Sequence, residues 1–171
     1  MKKIYKTPLF ERFAECMKNQ FPTFKLIPSL EKSHLYSHGQ HFVEEVTPLH
    51  WLFISVLPDP RSGHDSFSLE IGWSRHARIS ETTDGRAALN FKMEWMDKPE
   101  FNCYLVGEDQ VGAWYFERTF DPLPHQLSGL AVTVEVAKAV VDPIVDHAID
   151  ILNRDGAPIL AKMRNRFLAG N

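Results

Sequence analysis

The sequence predicts an α+β fold: an N-terminal helix, a mostly antiparallel sheet, then C-terminal helices. Three observations carry that expectation. Apolar residues recur at helical spacing near the start of the chain and again from Val132 onward. Between these ends lie short runs of strand-like alternation, punctuated by turn-forming residues. A block of strands followed by a block of helices favours α+β over a parallel, doubly wound sheet. At 171 residues, with no repeat or linker, the chain is expected to form one domain spanning 1–171.

The first helix is expected to start at Thr7-Pro8, a cap followed by a proline suited to the first turn. Its apolar face is Phe10, Phe13, Ala14, Met17 and Phe21, and Pro22 ends it. Phe24–Ile27 is a short strand candidate, and residues 33–37 are another. Residues 50–57 carry apolar side chains on both alternating faces, the pattern of a central strand covered on both sides. The turn signal Pro58-Asp59-Pro60-Arg61-Ser62-Gly63 leads to a second strand, residues 66–74. There Phe67, Leu69, Ile71 and Trp73 alternate with a wetter face of Ser66, Ser68, Glu70 and Gly72, as in a hairpin with its predecessor.

Residues 87–96 fit helix or strand equally. Residues 101–106 and 112–117 are expected strands. The C-terminal stripe comprises Val132, Val136, Ala139 and Val140, then Val141, Ile144, Val145, Ala148, Ile149 and Leu152. Asp142-Pro143 within it predicts a kink or a restart. Asp155-Gly156-Ala157-Pro158 predicts a stop, and a last helix then buries Ile159, Leu160, Met163 and Phe167.

Composition narrows function by exclusion. Net charge is -3, with eleven basic and ten acidic residues in 1–86 and eight and twelve in 87–171. Neither half has the basic surplus that nucleic-acid binding through bulk electrostatics requires. Two cysteines, Cys16 and Cys103, do not make a disulfide framework and are expected as buried reduced thiols. The basic N-terminus lacks a following apolar segment, and the most apolar run, 49–57, is half a membrane span. The expected location is therefore cytoplasmic, with no membrane partner. No glycine-rich phosphate loop and no GxSxG elbow occur, so no cofactor is expected.

Two constellations remain as candidate sites. His34, His38 and His41 fall within eight residues, followed by His50. Neutral imidazoles are common zinc ligands, which makes this a candidate metal site, although no HExxH or cysteine pair accompanies it. Trp73, Arg75, His76 and Arg78 lie where a strand runs into a loop, a good place for guanidinium groups to meet a carboxylate or phosphate. The adjacent His64-Asp65 pair points to opposite faces if extended, and His147 reads as a helix-boundary residue. Of the four tryptophans, Trp95 has charged neighbours and is expected to be the exposed one.

The stretch LHWLFISVLPDPRSGHDSFSLEIGWS, and within it Glu70-Ile71-Gly72-Trp73-Ser74, resembles small bacterial domains of uncharacterised function. The resemblance implies a helix, an antiparallel sheet and a helical C-terminus, and carries no catalytic residue. The leading expectation is a non-enzymatic bacterial binding protein whose partner is another protein, as in immunity or accessory factors. The alternatives are a metal-dependent or histidine-based hydrolase using His34, His38 and His41, and a small-molecule or phosphate binder at residues 73–78. The sequence carries no signal of oligomeric state.

Overall fold

The computed structural model describes residues 1–32, 36–60, 65–75, 79, 86–107, 112–116 and 132–170. Helix α1, Lys3–Gln20, leads into strand β1, Lys25–Leu26. Then come β2, Gln40–Thr47, β3, His50–Pro58, and β4, Ser66–Ser74. Strand β5, Arg86–Ala87, precedes two 3₁₀ segments, Ala88–Asn90 and Met93–Asp97. Strands β6, Glu100–Tyr104, and β7, Trp114–Tyr115, complete the sheet. Helices α2, Val134–Ile151, and α3, Ala157–Leu168, follow. The α+β expectation holds.

The sheet order is β1-β2-β3-β4-β6-β5, with β7 pairing β4, and every pairing except β5 with β6 is antiparallel. Strand β3 is central, as its two-sided apolar pattern requires, and β3 and β4 form the expected antiparallel pair. One face carries Phe42, Leu52, Ile54, Val56, Phe67, Leu69, Ile71, Trp73, Phe101 and Cys103. All are buried in one cluster with the three helices. Burying each large side chain of this kind contributes about 1.5–3 kcal/mol.

The helices differ from expectation at their ends. Helix α1 begins at Lys3, ahead of Thr7, and Pro8 lies inside it at the cost of one intrahelical hydrogen bond. Its entry is anchored elsewhere. The Lys2 backbone N–H donates to Asp65 Oδ1 at 2.6 Å, the Lys2 ammonium lies 3.0 Å from Oδ2, and Tyr5 and Leu9 are wholly buried. Helix α2 runs through Pro143 without a restart, with that proline on the exposed side. Its buried stripe takes Ala137 in place of Ala139, which is exposed.

The expected stop at 155–158 is instead a π-helical turn, Leu152–Gly156, leading straight into α3. There the Ala157 N–H reaches back to the Leu152 carbonyl, and Pro158 occupies the first turn, where a missing N–H costs least. Helix α3 buries the four residues expected of it. Trp95 is a second correction. Only 8% exposed, it packs against Phe101 at 5.2 Å and Phe91 at 5.9 Å, with the Arg86 guanidinium over its ring. Among the described residues, no helix is long and apolar enough to cross a membrane.

Candidate functional site

The second face of the sheet is polar where the first is apolar. The register sets His41 opposite Ser55, Ser55 opposite Glu70 and Glu70 opposite Tyr104, so a row of polar side chains crosses four strands on one face. In the adjacent row Phe53 is opposite Gly72, and Gly72 is opposite Asn102. Gly72 is required there. A Cβ would come within 2.3 Å of the Phe101 carbonyl oxygen and 2.4 Å of Phe53 Cζ.

Tyr36, in the turn before β2, lies over this face and joins it at two points. Its carbonyl lies 2.9 Å from His41 Nε2, while His41 Nδ1 lies 2.8 Å from Ser55 Oγ. A carbonyl only accepts, so Nε2 carries the proton, and in the neutral ring Nδ1 accepts from the Ser55 hydroxyl. The Tyr36 hydroxyl accepts from Asn102 Nδ2 at 3.0 Å and bonds to the Glu70 carboxylate, to which Asn102 Nδ2 also donates.

Glu70 is thus a half-buried carboxylate flanked by Ser68 and Gly72 along its own face. Burial raises its pKa to about 7, against the opposing pull of the Asn102 and Tyr36 donors. Burial and the Glu70 charge push the Tyr36 hydroxyl up to about 12, which keeps it a donor at every ordinary pH. Cys103, behind the sheet, is pushed up to about 12 by burial and then by the same carboxylate. Asn102 is wholly buried, and its Oδ1 has no hydrogen-bond partner.

Tyr36 and Glu70 form part of the wall of a cavity of about 460 Å³. His38 and Asp59 add polar groups, Leu57, Pro60 and Ala113 supply apolar surface, and Ser66 and Ser68 supply hydroxyls. The volume falls within the range usual for small-ligand sites. Burial, and then the Lys6 charge, lower the pKa of His38, with Asp59 opposing.

The structure separates the sequence candidates. His38 lines the cavity, His41 is spent on Ser55 and Tyr36, and His34 lies outside the described residues. Among the described residues, no three His, Cys, Asp or Glu side chains are grouped to hold a metal ion. Trp73 points to the helix-covered face, wholly buried, and its indole N–H donates to the Lys98 carbonyl at 3.3 Å. Arg75 donates to the Met96 carbonyl at 3.2 Å, and its buried Nε has no partner. His76 and Arg78 lie outside the described residues, as does His64. Asp65 is committed to Lys2, while His147 accepts from the Trp114 indole at 3.3 Å.

Glu70, Tyr36 and Asn102 were not candidates from sequence. One signal for Glu70 was available: a lone carboxylate in mid-strand between Leu69 and Ile71, with only small residues two positions away on either side. Nothing comparable marks Tyr36 or Asn102. Compared with family models, curated proteins and solved structures, the chain finds no match in any of the three.

Proposed function

We propose that this chain is a non-enzymatic ligand-binding protein and that its recognition site is the cavity beside Glu70. The observation that carries the reading is the Tyr36–Glu70–Asn102 cluster, a desolvated carboxylate held by two donors at the wall of an open cavity. Keeping an ionisable group in such a place costs stability, and perturbed groups of this kind concentrate at functional sites. This reading takes up the small-molecule alternative of the sequence analysis in place of the leading expectation of a protein partner, with the site beside Glu70 and not at residues 73–78.

Catalysis has less support. The Ser55–His41 pair has the atoms of a nucleophile and base, yet Ser55 is only 1% exposed and does not line the cavity. Cys16 and Cys103, both buried and unbridged, suit a reducing compartment, which supports a cytoplasmic setting.

A fragment screen followed by amide chemical shifts tests the reading. Hits should move the amides of Ser66, Ser68, Glu70 and Gly112, and Ser68→Trp, which fills the cavity, should abolish them without altering the fold. Hits that gather on another surface, or that survive Ser68→Trp, would remove the cavity as the recognition site.

A further inference from the structure

We propose that the turn at residues 36–39 is a proton-operated strap across the polar face of the sheet, laid down while Glu70 carries a proton and lifted as Glu70 ionises. Its contacts are all within the chain, so the strap works whether or not the cavity is occupied.

Tyr36 ties the turn down at both of its ends. Its carbonyl lies 2.9 Å from His41 Nε2, and its hydroxyl reaches Asn102 Nδ2 at 3.0 Å and the Glu70 carboxyl. It therefore bridges β2 and β6, with Glu70 on β4 between those strands. Two groups under this bridge are worse off than they would be in water. Asn102 is wholly buried, and its Oδ1 has no hydrogen-bond partner. Glu70 is an ionisable group whose burial outweighs its two donors. Both regain water if Tyr36 swings out, so the contacts holding the turn work against a hydration cost beneath it. Protonating Glu70 removes the larger part of that cost.

With the turn down, burial raises the pKa of Glu70 from 4.5 to about 7. With the turn lifted, a hydrated Glu70 returns to the lower value. The closed form thus binds the proton more tightly, and lifting becomes easier as pH rises between those values and levels above them. From pH 5 to pH 8 the lifting equilibrium grows by up to about 70-fold.

The other groups facing Glu70 or the turn, among the described residues, do not share this response. The Tyr36 hydroxyl and the Cys103 thiol, each pushed up to about 12, keep their protons over this range. Ser55 and Tyr104 stand opposite Glu70 in the register, and His41 lies beyond Ser55. His38, on the turn itself, acts in the opposite sense. Burial, then the charges of Lys6 and the N-terminal ammonium, favour its neutral form, with Asp59 opposing, so acid favours lifting through His38. Comparison with Glu70→Gln separates the two, because His38 is present in both proteins.

Hydrogen exchange on the full chain at pH 5 and pH 8, followed by NMR and corrected for the intrinsic rate at each pH, tests the strap. The Asn102 carboxamide protons lie under the turn and read its lifting, while the backbone N–H of Ile54, wholly buried in β3, reads global unfolding. At pH 8 the carboxamide is expected to exchange faster than Ile54. Its protection should fall between pH 5 and pH 8 by up to about 70-fold more in the unaltered chain than in Glu70→Gln. Exchange no faster than that of Ile54 at pH 8 would overturn the strap, since the turn would then leave only with the whole fold. An equal fall in the two proteins would overturn it too, by removing Glu70 as the operator. The comparison with Ile54 needs no variant and decides even if Glu70→Gln folds poorly.

Discussion

Glu70 accepts two hydrogen bonds, yet its carboxylate is still less favourable folded than in water, because burial outweighs what Tyr36 and Asn102 return. The consequence for stability has a definite sign. Its pKa rises from 4.5 to about 7 on folding, so the native state holds more protons than the unfolded state between those values. Stability therefore declines as pH rises through that window and is level above it, a loss of up to about 3 kcal/mol. Glu70→Gln is expected to flatten this slope and to raise urea stability at pH 8 by up to about 3 kcal/mol, with little effect at pH 4. Unfolding curves for both proteins at the two pH values check it. Gly72→Ala should cost about 2–3 kcal/mol, since the Phe53 ring can shift but the Phe101 carbonyl cannot without breaking the ladder. Adding Phe53→Leu should recover only part of that loss in the same assay.

Elements with a clean period were legible in the chain, and those whose pattern is completed from a distance were not. Strand β3 announced itself through apolar residues on both faces, and α3 through Ile159, Leu160, Met163 and Phe167. Strand β2 was not anticipated, because Glu44 stands on the helix-covered face and breaks the alternation. That charge is neutralised by Arg164 on α3, whose guanidinium makes paired contacts at 2.8 and 2.6 Å, 120 residues away in sequence. The cluster at Glu70 was hidden for the same reason, since Asn102 becomes its neighbour through strand register and Tyr36 through the turn before β2. Two element-scale outcomes follow. Thr133→Ala removes the hydroxyl that accepts from the Val136 N–H at the start of α2 and should cost about 1 kcal/mol. Pro143→Ala should stabilise the protein by about 1 kcal/mol or more, because Pro143 is exposed inside a helix that runs through it. Thermal denaturation of each variant decides both.

Across the whole molecule the sheet divides two kinds of chemistry. One face is a largely apolar contact with α1, α2 and α3, crossed by the Glu44–Arg164 pair; the other carries the polar row from His41 to Tyr104. Cys103 sits on the apolar side and Cys16 in α1, both buried, so each thiol is shielded unless the layers separate. Labelling with a thiol reagent at pH 8 should be negligible in the native protein. It should rise for both cysteines together, in step with global unfolding in urea; early labelling of one alone would show that the helical layer detaches first. The turn holding Tyr36 has a further consequence, in the order of assembly. Its partners Glu70 and Asn102 lie 34 and 66 residues further along the chain, on strands that must already be paired to present them side by side. The cavity wall is therefore expected among the last parts to take shape, and a ligand held in the proposed site would report a completed sheet.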